Sequence, residues 1–152
     1  MGIEIERKFL VKGEGWRREV ARSVSIRQGY LMSKRGLSVR IRTSGEGSWL
    51  TVKLGAKALK RTELEYPIPR EDAEILLEAC RRPILEKTRH IIPSPDGLSW
   101  EVDEFGGALA GLTLAEIELP AVDAAFHRPV WLGSEVTGDS RYQNANIHRL
   151  AP

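Results

Sequence analysis

Seven segments of this chain alternate apolar and polar residues with a period of two, and their polar positions carry charges, mostly as like-signed pairs. Glu4, Glu6 and Lys8 alternate with Ile3, Ile5 and Phe9. Arg40 and Arg42 alternate with Val39 and Ile41, and Lys53 lies between Val52 and Leu54. Glu63 and Glu65, Lys87 and Arg89, Glu101 and Asp103, and Glu116 and Glu118 repeat the pattern. Residues two apart on a strand point to one face, so the pattern predicts strands with a charged face and an apolar face. One solvated face is ordinary in an antiparallel sheet. A run of like charges at neighbouring positions is not, because exposed like charges gain nothing from each other. The pairs make sense if something of opposite sign sits between them. The carboxylates are hard oxygen donors that suit Mg2+ or Mn2+. The arginines and lysines suit phosphate oxygens. Together the two sets match metal-assisted phosphoryl transfer, provided that the strands converge around one cavity.

The alternation and turn residues predict eight strands, at 3–10, 26–31, 37–43, 48–54, 61–67, 85–92, 98–105 and 112–119. Ser44-Gly45-Glu46-Gly47 reads as a hairpin loop, and Pro93-Ser94-Pro95-Asp96-Gly97 as a turn. Residues 71–80 follow Pro69 with acidic residues in the first turn and read as a helix. Shorter helices are expected at 14–21 and 121–127, and a final one at 140–150. The fold class is mainly β (α+β), an antiparallel eight-stranded sheet. Closing the sheet into a barrel would remove its edges. A split sheet with helices on one face is the open alternative.

The 152 residues are one domain's worth, 1–152, and can bury a core without crosslinks. The single Cys80 excludes an internal disulfide and a thiolate metal cluster. A net charge of +2 argues against a bulk nucleic-acid or membrane-surface binder. Charge is nonetheless segregated: residues 1–60 hold 14 basic and 5 acidic side chains, and residues 61–152 hold 9 and 16. The first ten residues are no signal peptide and no apolar run reaches membrane length, so a cytoplasmic location is expected.

The order of motifs is similar to that of the CYTH superfamily, the triphosphate tunnel metalloenzymes. Glu4-Ile5-Glu6-Arg7-Lys8 resembles its ExExK motif. The resemblance continues through Gln28-Gly29-Tyr30-Leu31, Val39-Arg40-Ile41-Arg42, Thr51-Val52-Lys53 and Glu63-Leu64-Glu65. It runs on through Glu86-Lys87-Thr88-Arg89, Trp100-Glu101-Val102-Asp103, Glu116-Ile117-Glu118-Leu119 and Arg141-Tyr142-Gln143-Asn144, nearly the whole chain. The resemblance implies an eight-stranded antiparallel barrel around a polar tunnel that binds a triphosphate and uses Mg2+ or Mn2+. It implies that Glu4, Glu6, Glu116 and Glu118 hold metal, with Asp103 a further metal or metal-water ligand. Lys8, Arg40, Arg42, Lys53, Arg61, Lys87 and Arg89 would bind substrate, Glu63, Glu65 and Glu101 would orient these cations, and Lys8, Lys53, Lys87 and Asp103 would be catalytic.

The implied reaction is hydrolysis of a small-molecule triphosphate, first of all inorganic tripolyphosphate. Alternatives are a thiamine triphosphatase, a class IV-type adenylate cyclase and a noncatalytic polyphosphate-binding module. No nucleic-acid or membrane partner is expected, and an exposed barrel wall would allow a homodimer. The tail at 141–146 is expected to cover one tunnel opening, with docking on the barrel exterior as the alternative. His90, His127 and His148 show no metal-ligand spacing. Trp49 and Trp100 are expected on the outer wall. Lys57 and Lys60 would edge a tunnel mouth or form a solvated loop.

Overall fold

The computed structural model describes residues 2–55 and 59–151, so Lys57 lies outside the described residues. Nine strands form one antiparallel sheet: β1 (Gly2–Val11), β2 (Arg22–Lys34), β3 (Leu37–Ser44), β4 (Gly47–Leu54), β5 (Lys60–Pro67), β6 (Leu85–Pro93), β7 (Ser99–Phe105), β8 (Thr113–Glu118) and β9 (Leu132–Glu135). One α-helix, α1 (Arg70–Glu78), joins β5 to β6. The order is β5-β4-β3-β2-β6-β7-β8-β1-β9, and a further pairing of β5 with β1 closes the first eight strands into a barrel. β8 pairs with Glu6–Leu10 of β1. β5 takes Gly2–Ile5, and β9 joins further along, past a bulge between Phe9 and Val11.

The apolar residues of the alternating strands face outward, and many of them are covered by other parts of the chain, while Ile3, Leu54 and Tyr66 stay exposed. Phe9, Trp100, Ile117 and Trp131 form the centre of the largest buried cluster. The Trp100 ring packs edge-on against Phe9 at 5.6 Å and Trp131 at 5.6 Å. Such pairs add to what burial alone contributes. The indole of Trp131 also donates to Glu19, 3.0 Å away. On another side α1 lays Ala73 and Leu77 against Ile41 of β3. Gly29 permits a close approach there, since a Cβ at that position would lie 2.8 Å from Cys80 Sγ.

A third cluster caps the barrel at one end. Leu85, Phe105 and Leu114 continue the inward faces that carry Lys87, Asp103 and Glu116, and Leu109 and Ile147 pack onto them. The tail therefore does cover one opening. It does so as two 3-10 turns, Ser140–Tyr142 and Ile147–Leu150.

The other departures from expectation are local. The segment 14–21 is a 3-10 turn, Gly15–Glu19, that buries Trp16. No helix forms at 121–127: the segment holds only a turn between Pro120 and Pro129, and Phe126 is drawn into contact with Phe9 and Trp100. The second strand is longer than its apolar stretch because Arg22–Ser25 still pair with β6. Trp100 is on the outer wall as expected and is 1% exposed. Trp49 is not: it pairs directly with Arg42 and shares the Thr51 and Lys53 side of β4.

Candidate active site

The charged faces meet inside the barrel. Glu4, Glu6, Arg40, Arg42, Lys53, Glu63, Glu65, Arg89, Glu101, Glu116 and Glu118, with Asn144 from the tail, line one cavity of about 120 Å³. A second lobe of about 290 Å³ shares Glu6, Lys53 and Asn144 with it. This lobe adds Lys8, Tyr30, Lys34, Arg35, Arg61 and Arg82, and opens between the β2–β3 turn and the tail. Arg82, which the sequence reading missed, is held there by donating to the Ala145 carbonyl at 2.8 Å.

Strand order sorts the charges. Around the ring, the contiguous strands β7, β8, β1 and β5 carry the inward Glu101, Glu116, Glu118, Glu4, Glu6, Glu63 and Glu65. The opposite arc, β4, β3, β2 and β6, carries Lys53, Arg40, Arg42, Lys87 and Arg89. Lys8 on β1 and Arg61 on β5 cross this division, and Asp103 on β7 keeps to it.

Ion pairs then tie the halves together. Lys53 Nζ lies 3.0 Å from Glu4 and 3.5 Å from Glu63. Lys8 Nζ is 3.5 Å from Glu116 and donates to the Tyr142 carbonyl at 2.9 Å, linking the tunnel to the tail. Arg40 approaches Glu65 at 3.9 Å. Arg89 reaches Glu101 at 3.0 Å.

Lys87 and Asp103 do not line the cavity surface. Their side chains are 0% and 1% exposed, and Lys87 Nζ donates to Asp103 at 2.6 Å. Asp103 accepts two further hydrogen bonds from Arg89, at 2.8 and 2.9 Å. Burial alone would favour a neutral acid. Arg89 and Lys87 outweigh it and hold the Asp103 carboxyl at about 2. Its oxygens are committed to these cations, so it braces Arg89 and Lys87 against the β7 wall.

Glu6 and Glu118 lack such partners among the described residues, whereas Glu116 and Glu101 each have one cation, Lys8 and Arg89. Glu6 stands directly across from Glu118 on β1 and β8, and Glu101 across from Glu116 on β7 and β8. Burial, then the nearby Glu116, push the Glu6 carboxyl up to about 8. Burial and the charges of Glu4, Glu63 and Glu101 also raise Glu118. Raised carboxyl pKa values mark places where burial and like charge outweigh the nearby cations. Opposed carboxylates short of charge fit an oxygen-seeking divalent cation. Among the described residues, no three or more His, Cys, Asp or Glu side chains already converge as a finished ligand cage.

The family model of the CYTH domain matches residues 2–150. The chain belongs to the CYTH family. Two CYTH relatives named inorganic triphosphatase span nearly its whole length. The protein of Acetivibrio thermocellus is 45% identical over 148 residues, covering 97% of this chain and 94% of the relative. That of Nitrosomonas europaea is 40% identical over 156 residues, covering 98% and 99%. A crystal structure of an inorganic triphosphatase superposes with a TM-score of 0.66 at 38% identity, covering 95% of this chain and 93% of that one. A Pyrococcus horikoshii protein at 21% identity shares the fold, with a TM-score of 0.62 over 78% of this chain and 79% of its own. Among the described residues, no helix of this CYTH chain is long and apolar enough to cross a membrane.

Proposed function

We propose that this chain hydrolyses inorganic tripolyphosphate to pyrophosphate and orthophosphate with Mg2+ or Mn2+. One observation carries the reading: a cavity inside a closed barrel, with its wall divided into a carboxylate arc and a cationic arc. A polyanion alone would need only the second arc. The full-length likeness to proteins named inorganic triphosphatase supports the same reading.

The roles follow from position. Arg40, Arg42, Lys53 and Arg89 line the cavity and bind the phosphate oxygens, and Lys8 and Arg61 continue the cationic contacts into the outer lobe. Glu4, Glu6, Glu116 and Glu118 would hold the divalent ion, which when bound neutralises and polarises phosphate oxygens. Glu63, Glu65 and Glu101 orient Lys53, Arg40 and Arg89 through their ion pairs. Asp103 and Lys87 fix Arg89 from behind, so both act on substrate through it. Donors fixed in advance stabilise charge that grows on the transferring phosphoryl group without reorganising during the reaction. Water attacks a terminal phosphorus, the P–O–P anhydride bond breaks, and pyrophosphate leaves with the bonding electron pair. The narrow lobe suits a bare phosphate chain, and the wider one is lined by charged and amide side chains with Tyr30 its one aromatic ring.

The test is a panel of tripolyphosphate, ATP, thiamine triphosphate and pyrophosphate with Mg2+, Mn2+ or chelator, all products identified. The expected result is equimolar orthophosphate and pyrophosphate from tripolyphosphate, only with metal. Cyclic AMP from ATP, or binding without turnover under every condition, overturns the reading.

A further inference from the structure

Three of the four cations that line the inner cavity have a carboxylate partner: Lys53, Arg40 and Arg89 lie within 3.9 Å of one. Arg42 has none within ion-pair distance among the described residues. Its partner is instead a neutral amide: Gln28 Oε1 accepts from Arg42 Nε at 3.0 Å and from Nη2 at 2.9 Å. The two residues are direct partners in the β2–β3 ladder. Gln28 is 0% exposed, so its rotamer is fixed by packing. Arginine only donates, so the amide oxygen must face Arg42 and the amide NH2 must turn away. That Nε2 is buried without a partner.

From this pairing we infer that Gln28 is a positioning residue that aims Arg42 at substrate while leaving its charge intact. The inference rests on the tripolyphosphate reading for the identity of the anion. A carboxylate at position 28 would hold the guanidinium equally well and cancel it. A neutral acceptor holds two of its nitrogens and leaves Nη1 uncommitted. Burial, then Arg40 and Arg89, lower the Arg42 pKa to about 9, so it stays charged at neutral pH. This makes Arg42 the inner-cavity cation whose charge a phosphate gains most from meeting. The sequence signal was Gln28 itself, the inward neutral residue of β2 beside an arc of charges.

Two measurements test this. The first needs no substrate. In 15N-arginine spectra the Arg42 Nε–H signal is expected to exchange slowly in the free protein and to lose that protection in Gln28→Met. The second is direct binding of a nonhydrolysable imido analogue of tripolyphosphate with Mg2+. Affinity is expected to fall about 10-fold in Gln28→Met and about 100-fold in Gln28→Glu, where a charged fork cancels Arg42. In an Arg42→Met background, Gln28→Met is expected to have less than about a 2-fold further effect, since a residue acting through another loses its effect with it. Gln28→Glu keeps the side-chain shape and carries the test should Gln28→Met not fold. Wild-type affinity in Gln28→Glu, or an undiminished loss in the Arg42→Met background, overturns the inference. An analogue that does not bind the wild type overturns the tripolyphosphate reading instead, and the arginine spectra still decide whether Gln28 holds Arg42.

Discussion

Glu6 and Glu118 face each other across the β1–β8 ladder, and neither has an ion-pair partner among the described residues. Burying a carboxyl and setting it opposite another are both destabilising. Glu6→Gln or Glu118→Gln should therefore raise the stability of the metal-free protein by about 1 kcal/mol, or ~2–4 °C in Tm. Adding Mg2+ should stabilise the wild type more than either variant. Thermal melts in chelator and in Mg2+ check both signs. Variants that melt lower in chelator and still gain as much from Mg2+ as the wild type would remove these residues from the metal assignment.

Asp103 neutralises two buried cations at once. Asp103→Asn leaves Lys87 and Arg89 without it and should cost ~3 kcal/mol, with turnover down roughly 100-fold. Lys87→Met leaves Arg89 seated on Asp103, so its stability cost should be smaller. Urea unfolding gives the first quantity and single-turnover hydrolysis the second. Equal losses of stability in both variants would show that Asp103 is not the hub.

The Arg7–Glu135 pair fastens β9 to the outside of β1, with hydrogen bonds of 2.5 and 2.8 Å. Arg7, aided by Thr137, lowers the Glu135 pKa against a small opposing effect of burial. A depressed acid pKa contributes stability above the unfolded value of about 4.3, and that stability is lost as pH falls through the folded value. Glu135→Gln should thus be destabilising at pH 7, and the difference from wild type should shrink as the pH drops below about 4. Denaturant titrations at several pH values would show it. A difference that persists at pH 2 would assign the effect to packing.

Ile147 is fully buried among Leu85, Phe105, Leu109 and Leu114 at the capped end of the barrel. Ile147→Ala should cost about 2–4 kcal/mol locally. Because the tail is otherwise pinned by hydrogen bonds to Lys8 and Arg82, the loss should appear as faster amide exchange and tail proteolysis before global unfolding. Exchange that speeds up uniformly through the barrel strands would mean the cap is part of the global core.

The barrel strands were legible because the interior is charged: Glu4, Glu6 and Lys8 announce their face as clearly as a hydrophobic stripe would. Most of the candidate site followed from the same periodicity and from the family resemblance. β9 was not legible, since Leu132-Gly133-Ser134-Glu135 is too short to alternate and is defined by its pairing with β1. The aromatic cluster that straightens Phe126 is likewise a tertiary effect. Lys87 looked like its inward neighbours, and only its burial and its hydrogen bond to Asp103 show that it lies beneath the cavity surface. Trp49 shares its face with Lys53 by simple parity, a signal present in the sequence but misassigned.

Closure through β1 has a consequence for biosynthesis. β1 is made before its partners and must wait for them: β5 lies some fifty residues on, and β8 and β9 more than a hundred. At typical ribosomal speeds of 5–20 residues per second, that delay is on the order of 10 s. Throughout it Ile5 and Phe9, both destined for the core, remain without the strands that will cover them. The β2–β3–β4 hairpins and α1 can assemble early from near neighbours, whereas nascent β1 stays open to chaperones until β8 and β9 have cleared the exit tunnel.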